Sequence, residues 1–333
     1  MPFGFTPMPA AANTLTQHAD FNALANNSVV SQLDGNYGVL SIQGIDSAKF
    51  LQGQLTCNVQ EVTAQQARRG AHCTHKGRMV ASFYLLQISE QHYLFVLPLE
   101  TLSALQKSLQ KYIVFSKAKL SDATNEYILR GISGENAAKK ITDIFGAAPT
   151  AALAQISHEN GTAICIDSHP ARFLCIIPSA SQTQFDEALS ASLTSDAHYW
   201  NWLDIASGLG TVRADTIEEF IPQMLNLQVL DGVSFTKGCY TGQEIVARMQ
   251  YRGILKKAMY RIGGAGVTPI PNTAIFQAEN TQAVGHIVCA ENSNSTQWQA
   301  LAVINHDAIE HTLTLENSSD IAVLPLPYSI TEK

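Results

Sequence analysis

The order in which strand-like and helix-like segments follow one another limits this chain to a narrow set of folds. Residues 37–42 read as a strand, followed by a turn at Gly44 and a short helix that Asp46 can cap. Residues 82–88 and 93–97 read as a strand pair. From Leu99 onward, Leu102, Leu105, Leu109 and Tyr112 recur every three or four positions, which predicts an amphipathic helix lying on a sheet. The same order then returns. Residues 127–132 are strand-like, 135–145 helix-like and closed by Gly146, 163–166 with 173–177 a hairpin, and 182–193 a second helix. Strands interleaved with helices and hairpins point to an α+β fold with antiparallel sheets rather than a doubly wound parallel sheet. After about residue 256 the pattern changes. Strand candidates at 258–262, 284–289 and 297–304 are broken by Gly, Pro and Asn clusters, which predicts a small β-barrel or sandwich.

Composition narrows the function classes. The chain has 333 residues, 46% hydrophobic and 15% charged, so it can bury the core of two or three domains. Its net charge of -7 argues against a dedicated RNA-binding or DNA-binding module held by bulk electrostatics. No apolar run approaches the roughly 20 residues of a membrane helix, and Met1 to Gln17 carries no Lys or Arg, which argues against a secretory signal. The six cysteines (57, 73, 165, 175, 239 and 289) form no C-x-x-C pair, and several sit in apolar runs. They read as reduced thiols of a cytoplasmic protein, without local spacing for a zinc or cluster site. His72, Cys73 and His75 resemble metal ligands, but three such residues within four positions of a strand cannot face one way.

The segment richest in chemistry is Lys237-Gly238-Cys239-Tyr240-Thr241-Gly242-Gln243-Glu244. Residues 231–235 read as a turn and short strand before it, and a helix is expected from Thr241, with Thr241 and Glu244 at capping-box spacing. Glu244 and Arg248 stand four apart, in the order favourable for an ion pair. Cys239 would then lie just before a helix N-terminus, two residues from Lys237, and both favour a thiolate. Gly238 and Gly242 would let backbone approach a ligand. The plainer alternative is a capped helix after a tight turn with Cys239 inert. Arg248, Arg252, Lys256 and Lys257 form a basic run that suits either a solvated helix face or contact with an anionic ligand tail or partner.

The octapeptide matches K-G-C-[FY]-x-G-Q-E, and the chain resembles the YgfZ-type proteins, relatives of the folate-dependent aminomethyltransferase of the glycine cleavage system. The likeness includes Phe220-Ile221-Pro222-Gln223, Phe50-Leu51-Gln52-Gly53-Gln54-Leu55-Thr56, Ala71-His72-Cys73, Lys76-Gly77-Arg78, Lys111-Tyr112-Ile113-Val114-Phe115-Ser116-Lys117 and the C-terminal Leu324-Pro325-Leu326-Pro327-Tyr328-Ser329. It runs from about Gly35 onward.

The resemblance implies an aminomethyltransferase-like fold: two mixed α/β subdomains with antiparallel sheets, plus a small C-terminal barrel. The expected division is residues 1–125 with 200–255 as the folate-binding core, 126–199 as a ferredoxin-like subdomain and 256–333 as the barrel. Tetrahydrofolate is implied in a central cavity, beside Trp200 and beside Tyr37, which stands where the family usually has Trp. Lys237, Gly238, Tyr240, Gly242, Gln243, Glu244 and Arg248 are implied as further cofactor-binding residues, and Cys239 as the reactive thiol. The implied role is a factor supporting iron–sulfur enzymes, or the proteins that assemble their clusters, with an indirect effect on tRNA methylthiolation. A folate-dependent methyl or aminomethyl transferase is the alternative, and a scaffold that has lost folate binding is a third reading.

Overall fold

The computed structural model describes residues 20, 21, 24, 28–168, 171–251, 255–278, 281–316 and 320–330. Two sheets packed face to face, each covered outside by helices, carry a closed barrel. The first sheet has five antiparallel strands in the order Arg68–Cys73, Met79–Ser89, His92–Pro98, Tyr37–Gln43, Lys119–Asp122. Along Tyr37–Gln43, Leu40 and Ile42 turn toward the helix Leu99–Gln110, where they meet Leu102, Leu105 and Leu109. Tyr37 and Val39 turn the other way, toward the second sheet. Successive strand residues point to opposite faces, so a strand buried on both faces must be apolar throughout.

The second sheet runs Leu193–Ser195, Val29–Gln32, Tyr127–Ser133, Ala171–Pro178, Gly161–Ser168, Gln155–His158. Only its first pair is parallel. Val29–Gln32, grouped with residues 1–125 in the expected division, pairs with Tyr127–Ser133 in this sheet. The helices Ala137–Phe145 and Gln182–Ala188 cover its outer face through Ile141, Phe145 and Phe185. Gly146 closes the first of them in the left-handed conformation, φ 81°, as the sequence predicts.

The barrel closes in the order Lys257–Ala265, Gln297–Asn305, Ala283–Asn292, Ala274–Gln277, Leu313–Leu315, Asp320–Leu324. Alternation decides its mounting. Ala258, Tyr260, Ile262, Ala300 and Ala302 face inward. Met259, Leu301 and Val303 face outward, into a core shared with Ile205, Leu225, Leu227 and Val246.

Several local expectations give way to tertiary contacts. The helix from Leu99 ends at Gln110, leaving Tyr112 exposed. The helix expected over 182–193 stops at Ala188, and Leu193–Ser195 pairs as a strand with Val29–Gln32. Asp46 does not cap its helix, because its carboxylate accepts from the Lys117 amide at 2.7 Å. Residues 231–235 form turn and loop, with no strand.

Candidate functional site

The helix Ala197–Ala206 is N-capped by Asp196, whose carboxylate accepts from the His198 amide at 3.0 Å. Almost all of its surface is covered, and each face meets a different neighbour. Tyr199, Trp202 and Leu203 pack on Phe21 and Val29, while Trp200 enters the core between the two sheets. The remaining positions, His198, Asn201 and Asp204, sit three residues apart and carry the polar chemistry.

Asn201 and Asp204 help to line a small cleft of about 110 Å³, with Tyr37, Thr211, Arg213 and Glu291. This lies below the range of about 300–1,000 Å³ usual for small-molecule sites, so a larger ligand would place only its polar end inside. Tyr37 comes from the first sheet, Asn201 and Asp204 from the helix, Thr211 and Arg213 from the segment after it, and Glu291 from the barrel strand Ala283–Asn292. A site at such a junction exists only in the folded whole.

The polar groups are connected. Tyr37 donates to Asn201 Oδ1 at 3.1 Å and, at longer range, to Asp204 Oδ2 at 3.4 Å. Asn201 Nδ2 donates to Glu291 Oε1 at 2.9 Å, and His198 Nδ1 lies 2.8 Å from Glu291 Oε2. Behind the wall, Arg172 is fully buried, with Nη1 2.9 Å from Asp204 Oδ1 and Nη2 2.9 Å from Asp167 Oδ2. The Asp204 contact is an ion pair whose angles fall outside those of a hydrogen bond.

Burial pushes the Asp204 carboxyl above the usual carboxylate range, and Arg172 only partly offsets this. Burial and the Asp204 charge push the Tyr37 phenol well up, so it stays a donor. The hydrogen bond to Glu291 raises His198, against burial. For Arg172, burial favours the neutral form, but the carboxylates of Asp204 and Asp167 outweigh it.

Of the two aromatic residues, Tyr37 reaches this cleft. Trp200 does not line it: the indole is buried, with the Arg172 guanidinium 4.9 Å from its centroid. Gly131 lies so close that any side chain there would overlap the ring.

The Lys237–Glu244 loop lies elsewhere, and none of its residues lines the cleft. Lys237 points inward, donating to the carbonyls of Leu55 and Cys57 at 2.8 Å each, with its ammonium 5.1 Å from the Tyr240 ring centroid. Burial lowers it to about 8, and burial pushes the Cys57 thiol up to about 11. Tyr240 is buried, whereas Gly238 and Cys239 are exposed.

The helix here is Gln243–Tyr251, starting later than expected. The capping box is not formed. The Thr241 hydroxyl turns to Gln54 Oε1 at 3.2 Å, and its amide donates to the Gly53 carbonyl. Cys239 therefore lies four residues before the helix, and the Lys237 ammonium is engaged with carbonyls. Glu244 and Arg248 do pair, at 3.0 Å on the exposed surface, and Gln243 opens the helix. Gly242 has φ 85°, and an added Cβ would stand 2.5 Å from the Thr74 carbonyl. Arg252, from the basic run, lies outside the described residues. His72 is buried, with Nδ1 at 2.9 Å from the Gln54 carbonyl and Nε2 at 2.8 Å from Ser108 Oγ. His75 is exposed in the turn that follows.

Sequence reasoning missed Asn201, Asp204, Arg213 and Glu291. The first two had a legible signal, a polar pair three apart inside the otherwise apolar run 199–205. Arg213 and Glu291 had none.

No family model matches the chain. Among solved structures, the glycine cleavage system aminomethyltransferase T from Bartonella henselae superposes over 92% of this chain and 88% of its own, with TM-score 0.72 and 12% identity. The chain has an aminomethyltransferase-like fold. At 12% identity the likeness is one of fold. The heterotetrameric sarcosine oxidase from Corynebacterium sp. U-96 matches over 50% of this chain and 85% of its own, at 11% identity and TM-score 0.36. Within the aminomethyltransferase-like fold, the cleft sits where both sheets' shared core, the helix Ala197–Ala206 and the barrel meet.

Proposed function

We propose that the protein binds tetrahydrofolate at the cleft between Tyr37, Asp204, Arg213 and Glu291, with only part of the ligand inside it. The observation that carries this reading is the donor set gathered there. A reduced pterin presents ring N–H and amino donors beside an acceptor carbonyl, and its glutamate tail presents carboxylates. Asp204 and Glu291 would accept from the pterin, Asn201 and Thr211 can both donate and accept, and Arg213 would take a tail carboxylate. Arg213 Nε is held by Glu100 at 2.6 Å, which fixes the guanidinium while leaving its other donors for a ligand. Bound folate would supply a one-carbon carrier. This chain's residues would orient the ring and keep the Tyr37 proton in place.

By resemblance, the folate-bound protein supports iron–sulfur enzymes, including those that methylthiolate tRNA, and acts on tRNA indirectly in the cytoplasm. The exposed Cys239 is the group we assign to thiol chemistry with such partners. A second reading, a folate-dependent one-carbon transferase, is favoured by one observation: Asp204, a carboxyl with raised proton affinity, lies on the cleft wall.

Titration of the full chain with tetrahydrofolate, followed by heat release and tryptophan fluorescence, tests the binding. Saturable binding is expected, weakened at least about tenfold in Tyr37→Ala and Arg213→Ala and unchanged in Cys239→Ala. Absence of saturation up to millimolar folate overturns the reading. Turnover of methylene-tetrahydrofolate by wild type, lost in Asp204→Asn, would decide for the transferase. For the cellular role, loss of methylthiolated tRNA nucleosides in cells lacking the protein should be restored by wild type and not by Tyr37→Ala.

A further inference from the structure

One corner of the first sheet is left unused by the folate reading. Of the seven large apolar side chains exposed among the described residues, four are Ile45, Tyr112, Val114 and Phe115, the last 97% exposed. They form one neighbourhood. The Lys117 amide donates to Asp46 at 2.7 Å, and the Asp46 amide returns a bond to the Lys117 carbonyl, which holds the turn at Ile45 against the segment after Phe115. The 3-10 turn Ile113–Phe115 explains the exposure. With three residues per turn, Ile113 enters the core while Val114 and Phe115 are left outside. A cluster of this kind on an otherwise ordinary surface marks a contact site.

Beside it opens a cavity of about 340 Å³, lined by His75, Lys76, Lys107, Lys111, Tyr112 and Glu218 among others. Tyr112 belongs to both features. Lys76, Lys107 and Lys111 form no ion pair with a described residue, and Glu218 is the one carboxylate in the lining. Three unpaired ammonium groups thus converge on a protein whose net charge is -7.

We propose that this corner docks a short acidic segment of a partner protein. Its carboxylates enter the lysine cavity, and its apolar side chains cover Val114 and Phe115. Charge complementarity selects the occupant. A nucleic acid is disfavoured, because the overall negative charge repels a long phosphate backbone while leaving a short local contact attractive.

The corner also shares its scaffold with the Cys239 loop. The turn holding Thr74, His75 and Lys76 lines the cavity on one side and meets Gly242 on the other. His72 bridges Ser108 in the cavity wall to the Gln54 carbonyl, and the Gln54 side chain meets Thr241. A partner held here would lie alongside the loop that exposes Cys239. The inference stands on surface chemistry and does not depend on folate binding.

The test is selection of a displayed library of short random peptides on the full-length protein and on a Lys107→Glu/Lys111→Glu variant. An enriched peptide is then measured by fluorescence anisotropy against both, against Val114→Ser/Phe115→Ser, and in competition with a single-stranded oligonucleotide. All four substituted side chains are exposed, so each variant should melt as wild type does. Expected are peptides combining Asp or Glu with Leu, Ile or Phe, an affinity loss of at least about tenfold in each double variant, and no competition by the oligonucleotide. The proposal is overturned by no enrichment, by enriched peptides without acidic residues, or by affinity unchanged in either variant. It is equally overturned if the oligonucleotide displaces the peptide, or if sedimentation shows self-association that Phe115→Ser abolishes.

Discussion

His198 and Glu291 join the helix Ala197–Ala206 to the barrel at 2.8 Å, and Glu291 also lines the cleft. The hydrogen bond to Glu291 raises the folded imidazole pKa above its ordinary value of 6.5. The sign follows from linkage: the folded state holds this proton more tightly than the unfolded state, so the contribution is complete below about pH 6.5 and disappears as pH rises through the folded value. The His198 side chain is 45% exposed, so solvent screening limits the effect to less than about 1 kcal/mol. Urea denaturation of wild type and His198→Ala is therefore expected to show a small gap at pH 5 to 6 that closes above neutrality. A gap that widens with pH would contradict the assignment. The same scale explains why Trp200 does not line this cleft, since Arg172 and Gly131 already cover it.

At the scale of elements, the Lys237–Glu244 loop is held by two segments distant in sequence. Lys237 fastens to residues 55 and 57, Thr241 to residues 53 and 54, and Gly242 to the turn at Thr74. The motifs singled out around residues 50–56, 71–78 and 237–248 are thus parts of one assembly. Gly242→Ala would need both a left-handed backbone and room that the Thr74 carbonyl occupies. A loss of more than about 1 kcal/mol is expected, read as a lower urea midpoint together with faster proteolysis within the loop. Gly238→Ala is the control, because an added Cβ there meets nothing within 4 Å, and it should leave both readouts near wild type. The repeated strand–helix order was legible from periodicity, and so were the Glu244–Arg248 pair and the Gly146 cap. The capping box was not, because Gln54 competes for the Thr241 hydroxyl from 187 positions away.

For the whole molecule, the barrel is one wall of the central core. Met259, Leu301 and Val303 leave the barrel to pack on Ile205, Leu225 and Leu227, and Glu291 of the barrel completes the cleft. A chain truncated at residue 256 would expose that apolar face. It is expected to bind a hydrophobic dye, lose its cooperative thermal transition and fail to bind folate. A truncated form that melts cooperatively with the wild-type midpoint would show that the barrel is an independent appendage. Among the described residues, no helix is long and apolar enough to cross a membrane.

The sequence alone determined much of the alternation of strands and helices, that the C-terminal part is built from short strands, and that residues 237–244 form a special loop. These are local properties, written in the spacing of apolar residues, glycines and caps. Tertiary structure decided where the side chains point. Tyr37 meets Asn201 across 164 positions, Lys237 turns inward to the carbonyls of Leu55 and Cys57, and Asp204 becomes a cleft residue with raised proton affinity. A side chain's polar environment depends on which distant segments dry it and which offer it a partner, and neither is encoded in the spacing of its neighbours.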